Sequence, residues 1–266
     1  MYDVLLSCGM EDGEGLWIRM LTGCRASLNE VTRIAQLVAD NTVSIGSSLS
    51  HVHVPGRREP EDDELKEGEV EIGMGIHNEA GSERKQTDLP GLVKIMLSHA
   101  LSTADQDRSF SKITEKDDVV LLVNNLGGVS PLEVGGITNE VVEQLANEFK
   151  IKPVRILAGT FMTSLNGLGF SISLLRVADT GSAGASILEL LDAPAEASGW
   201  AAAISTSTWE KRSEAKEQEE QAAGEEIQPG NLRSRSSFAV VTLALTRYSR
   251  SKQSQSNIDS RSQQSH

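Results

Sequence analysis

Val119-Val120-Leu121-Leu122-Val123-Asn124-Asn125-Leu126-Gly127-Gly128-Val129-Ser130-Pro131-Leu132-Glu133 changes character twice within a short span. Val119 to Val123 form an apolar run too continuous for a half-exposed strand, which predicts a strand covered on both faces. Asn124 to Gly128 then predict a turn. Ser130 and Glu133 are spaced as a capping box, with Pro131 at the first helical position. Val134, Ile137, Val141, Leu145 and Phe149 follow as the buried stripe of that helix. Strand, turn and amphipathic helix in this order indicate an α/β domain.

The neighbouring sequence extends the same reading. Downstream, Val154 to Leu157 and Phe170-Ser171-Ile172-Ser173-Leu174 predict two further strands, joined by a loop with Gly159, Gly167 and Gly169. Ser186 is placed to cap a short final helix through Leu191. Upstream, Asp88 is placed to cap a helix carrying Val93, Met96, Leu97 and Ala100. Val70, Ile72, Met74 and Ile76 alternate with Glu71, Gly73 and Gly75, the period of a half-buried strand. Residues 59–71 hold eight carboxylates and one Lys, expected as a solvent-facing loop. Before them, Ser50-His51-Val52-His53-Val54 leads to a Pro55-Gly56 turn. Ser27-Leu28-Asn29-Glu30 is a capping box, followed by Val31, Ala35 and Val38 at helical spacing. The expected fold is a two-layer α/β sandwich with a mixed sheet of about five or six strands.

Composition divides the 266 residues into four parts. Residues 1–26 are Gly-rich and acidic without a clear period. Residues 27–212 carry the regular signals. Residues 213–230 hold six Glu against one Lys and read as an acidic linker. Residues 231–266 hold ten Ser and six basic residues against one acid, the composition of a disordered tail. The net charge of -13 disfavours nonspecific attraction to nucleic acid or to an anionic membrane. With only Cys8 and Cys24, neither a disulfide framework nor a four-cysteine zinc site can be built. No long apolar segment or secretory leader stands out, so a soluble, cytoplasmic location is expected.

The histidines are where chemistry is sought. His51 and His53 sit on one face of an extended chain, but no third metal ligand is evident nearby, and a structural role is the simpler one. His99 lies among apolar helix neighbours, and His266 ends the tail. His77 differs. It stands where an alternating strand breaks into Gly75-Ile76-His77-Asn78-Glu79-Ala80-Gly81, with glycines on both sides and a carboxylate nearby. Such strand ends are common functional positions in α/β proteins. Gly73-x-Gly75 lacks the third glycine of a dinucleotide fingerprint, and neither a P-loop nor a Gly-x-Ser-x-Gly elbow occurs.

The run Glu71-Ile-Gly-Met-Gly-Ile-His77-Asn-Glu-Ala-Gly81 closely resembles a signature of the dihydroxyacetone (glycerone) kinases, in their substrate-binding K domain. Ala39-Asp40-Asn41-Thr42, His51-Val-His-Val-Pro-Gly56, Leu122-Val-Asn-Asn-Leu-Gly-Gly128 and Gly159-Thr-Phe-Met-Thr-Ser164, leading into Gly169-Phe-Ser-Ile-Ser173, agree in the same order. Asn78 and Ala80 are similar to the plant and animal branch. The resemblance covers about Ser27 to Trp209 and implies the fold of the second K subdomain.

It also implies that His77 attaches a short ketose or aldose, dihydroxyacetone or glyceraldehyde, as a hemiaminal. Gly75, Ile76, Asn78 and Glu79 would bound that site, and Glu79 is expected to orient His77. ATP with magnesium is implied as phosphoryl donor, through a helical domain that this chain does not match. The first K subdomain, with its acid/base His and Asp, is not matched either. The expectation is therefore a truncated piece that binds no cofactor or metal itself and is not a competent kinase alone. A homodimer or a full-length homologue is the expected protein partner. The alternative is a non-catalytic carbonyl-binding or partner-binding remnant.

Overall fold

The computed structural model describes residues 28–50, 65–74, 81–102, 113–181, 186–193 and 207–208. In chain order its elements are α1 (Leu28–Ala39), β1 (Thr42–Ser50), β2 (Glu69–Ile72), β3 (Glu83–Gln86), α2 (Leu89–Leu101), β4 (Val119–Asn125), α3 (Pro131–Glu148), β5 (Arg155–Gly159), β6 (Leu168–Arg176) and α4 (Ile187–Asp192). The six strands make one mixed sheet in the order β3-β2-β1-β6-β4-β5. β4 and β5 are parallel, joined through α3. β6 runs antiparallel to both β4 and β1, and β2 and β3 complete the sheet as an antiparallel hairpin.

All seven residues of β4 are buried, as its unbroken apolar run requires. Val119, Leu121 and Val123 point into the larger core with Phe170, Ile172 and Leu174, beneath Val93, Met96 and Leu97 of α2 and Val141 and Leu145 of α3. Val120 and Leu122 point the other way, into a smaller cluster with Val38 of α1 and Ile187, Leu190 and Leu191 of α4. The layer of helices α2 and α3 thus covers one face, and α1 with α4 covers one corner of the other. Arg155 and Asp192 tie that corner to β5 through two hydrogen bonds of 3.0 and 2.7 Å, both side chains being mostly shielded from water.

The caps anticipated at Asp88, Ser130 and Ser186 are formed. Asp88 accepts from the Gly91 N–H, and Ser130 and Ser186 each make a reciprocal capping box with Glu133 and Glu189. The Ser27 cap lies outside the described residues, as do residues 1–26 and the segments 213–230 and 231–266.

Two strands have no counterpart in the sequence reading. β1 is Thr-Val-Ser-Ile-Gly-Ser-Ser-Leu-Ser, a composition with weak strand preference. It is held because its small polar side chains match those of β6 opposite: the Ser44 and Ser173 hydroxyls share a 2.7 Å hydrogen bond. β3 is Glu-Arg-Lys-Gln, charged and mostly exposed, as suits a strand at the edge of a sheet. The acidic run 59–71 also needs correcting at its end. Residues 59–64 lie outside the described residues, but Glu69, Val70 and Glu71 are strand, and Glu71 is only 4% exposed.

Candidate functional site

The motif Leu122–Gly128 ends β4 with two asparagines whose amides are fully used by nearby loops. Asn124 Oδ1 accepts from the Phe161 and Met162 N–H groups at 3.0 Å each, and its Nδ2 donates to the Met162 carbonyl at 2.8 Å. Asn125 Oδ1 accepts from the Gly127 and Val129 N–H groups, and its Nδ2 donates to the Val129 carbonyl and the Thr160 hydroxyl. These residues staple the loops after β4 and β5 to the sheet end. That is positioning, and it leaves neither amide open to a substrate.

The hairpin of β2 and β3, between whose strands the His77 segment falls in sequence, stands at the opposite margin of the sheet from β4 and β5. Gly75, Ile76, His77, Asn78 and Glu79 lie outside the described residues, as do His51 and His53. What the structure defines are both stems of that segment. β2 leads out through Gly73 and Met74, and the chain returns at Gly81 and Ser82 into β3.

The outgoing stem is fixed by the Gly73 N–H, which donates to the Gly46 carbonyl of β1 at 2.8 Å. Gly73 has φ +76°, a left-handed turn that ends the alternating strand one residue past Ile72. On the returning stem, the Ser82 N–H and hydroxyl both donate to the Ile72 carbonyl, at 2.9 and 3.2 Å.

Glu71 closes the mouth of the loop. Its Oε1 accepts from the Gly81 N–H at 2.5 Å, and its Oε2 faces Arg84 Nε at 3.2 Å. Glu71 and Arg84 are opposite one another in the hairpin register. Gly81 has no room for a side chain, since a Cβ would stand 2.5 Å from Glu71 Cγ and 2.7 Å from the Ile72 carbonyl oxygen. Neither Glu71 nor Arg84 was singled out from sequence. The available signal was the position of Glu71 beside Val70 and Ile72 in an alternating strand.

Other titratable groups lie away from this hairpin. The Thr114 hydroxyl donates to Asp117 at 2.6 Å and holds that carboxyl below its ordinary range, aided by the Thr114 N–H and by Arg176 at 3.9 Å. Glu189 is likewise lowered by the Ser186 backbone N–H and hydroxyl that it caps. His99 is half-buried on α2, with its Nδ1 buried and unbonded. Among the described residues no three His, Cys, Asp or Glu side chains gather as a metal site. No described helix is long and apolar enough to cross a membrane.

Comparison with known proteins places these features in context. The Dak1 domain matches residues 21–199. The dihydroxyacetone kinase of Komagataella pastoris is 47% identical over 191 residues, covering 67% of this chain and 31% of that protein. The dihydroxyacetone kinase of Pichia angusta is 44% identical over 201 residues, covering 71% of this chain and 33% of that protein. This chain therefore spans about a third of the length of the curated relatives it matches. Among solved structures, the dihydroxyacetone kinase of C. freundii in complex with AMP-PNP and Mg2+ superimposes with a TM-score of 0.58 at 26% identity. That match covers 73% of this chain and 34% of the other.

Proposed function

The chain belongs to the Dak1 domain family, and from that premise we propose that it is the ketone-capturing part of a dihydroxyacetone kinase, with His77 as the residue that takes the carbonyl. The observation that supports this most is the hairpin of β2 and β3. It carries the His77 segment between two stems that are each fixed to the sheet, one through Gly73 and one through Gly81. A nucleophile on a loop pinned at both ends is restricted in where it can reach, which is what orientation for addition requires.

The chemistry is carbonyl addition. An imidazole nitrogen bonds to the ketone carbon, and the carbon–oxygen π pair moves onto oxygen. That oxygen gains a proton and the other imidazole nitrogen loses one, leaving a neutral hemiaminal. Glu79 is assigned to hold the second nitrogen and so fix the tautomer. Gly75, Ile76 and Asn78 complete the walls. Dihydroxyacetone and glyceraldehyde both offer an electrophilic carbon, whereas glycerol does not.

Phosphoryl transfer from ATP is assigned to a longer homologue with which this chain would assemble in the cytoplasm, whereas a homodimer of this chain would hold the ketone without transferring phosphate.

Native mass spectrometry of the full chain with dihydroxyacetone tests the reading. A one-to-one adduct is expected in the wild type and in His99→Ala, none in His77→Ala, and none with glycerol. Equal adduct yields in the two histidine variants would overturn the assignment. A His77-dependent adduct in a chain that no longer assembles with any kinase would favour the non-catalytic carbonyl-binding reading.

A further inference from the structure

Glu71 is a buried carboxylate for which the carbonyl chemistry above has no use. Burying an ionised group is costly unless its charge and lone pairs are met, and here both oxygens are engaged. One takes the backbone N–H that closes the loop, the other takes a guanidinium from the opposite strand. The partners are unequal in exposure: the Glu71 side chain is 5% exposed and that of Arg84 is 37%. The carboxylate is thus the buried anchor and Arg84 its solvent-side support.

The covalent path from Glu71 to Gly81 runs through the whole His77 segment. The hydrogen bond from Gly81 to Glu71 therefore closes a ring that contains the nucleophile. Loosening that bond would release the returning chain at Gly81, up to the hold of Ser82 on the Ile72 carbonyl, while the outgoing stem stays tied to Gly46.

We propose that Glu71 is a positioning residue for His77, setting by its grip on Gly81 the affinity with which the loop captures a small ketone. This rests on the carbonyl-capture reading of His77. It requires that Glu71 act on ligand affinity in a chain that is otherwise folded, beyond any share it has in stability.

The test compares the full-length wild type with Glu71→Gln, Glu71→Ala and Arg84→Lys. Dihydroxyacetone is titrated against each by native mass spectrometry, with circular dichroism establishing the fold at the temperature of the titration. Amide exchange at Gly81 and Ser82 is followed alongside. Because a charged acceptor is replaced by a neutral one, Glu71→Gln is expected to raise the apparent Kd about tenfold. Glu71→Ala should raise it further. Arg84→Lys, which keeps the charge, should stay within about twofold of the wild type. Exchange at Gly81 should quicken in the same order.

A residue with only a structural role would lower the melting temperature and leave the Kd of the folded variants unchanged, and that result overturns the proposal. If Glu71→Ala does not fold, Glu71→Gln and Arg84→Lys carry the comparison. A His77-dependent adduct insensitive to both overturns the role of Glu71 alone. No adduct in the wild type overturns the capture reading, and the role of Glu71 with it.

Discussion

The centre of the sheet and its β2–β3 margin are held by different forces. β4 is flanked by β5 and β6, buried on both faces, and secured by apolar contacts with α2 and α3 on one side and with α1 and α4 on the other. The hairpin is four residues to a strand, its outer strand is mostly exposed, and the loop it carries closes on one carboxylate. Apolar burial is non-directional and spread over many residues, so the centre tolerates small displacements. A hydrogen bond, by contrast, weakens steeply with small changes in distance and angle. If His77 is the nucleophile proposed above, the loop that aims it gains from stems built on the second kind of contact.

The difference is sharpest where the centre is cut. Leu121→Ala removes a fully buried side chain beneath α2 and α3 and is expected to cost about 3–5 kcal/mol in urea unfolding, enough to threaten the whole fold. A loss under about 1 kcal/mol would mean that the helices do not pack on β4 as described.

At the margin, Gly81→Ala forces a Cβ against Glu71 Cγ and the Ile72 carbonyl. The expected global cost is smaller, about 1–3 kcal/mol, and it should appear mainly as faster amide exchange in β2 and β3. Uniform loss of protection across β4 and β6 would erase the distinction between the two regions.

The smallest effect expected is electrostatic. Asp117 and Glu189 both titrate below their ordinary range when folded. Their contribution is fully present above about pH 5 and is lost as pH falls through the lowered values. Thr114→Ala with Ser186→Ala should therefore flatten the acid limb of a stability–pH curve and leave exchange in the hairpin unchanged. A steeper acid limb in that double variant would contradict the assignment.

What could be read from sequence follows the same division. Val119–Val123, Val134 to Leu145 of the α3 stripe and the three caps are local signals, each where its spacing placed it, whereas Phe149 at the end of that stripe is the half-buried C-cap. His77 stood out because glycines flank it. β1 stayed hidden because serines confer no period, and its place depends on serines of β6 more than a hundred residues away. Glu71 stayed hidden for a related reason. Inside a run of eight carboxylates it looks solvated, and the Gly81 N–H and Arg84 that compensate its burial meet it once the hairpin is in register. Pairwise polar contacts across strands leave no trace in the linear spacing of either partner.

The position of β1 between β2 and β6 bears on the order of events during synthesis. β1 and the hairpin are made early, yet the strand that covers the inner side of β1 begins at Leu168, about 120 residues after β1 ends. At ribosomal speeds that is a wait of roughly 6 to 24 s with one long strand edge open. An open edge rich in valine and isoleucine would pair with other chains over that interval. β1 instead offers four serines and a glycine, which bind water well and attract other strands poorly. The composition that makes β1 hard to recognise as a strand thus also leaves that waiting edge with fewer apolar side chains for other chains to pair with.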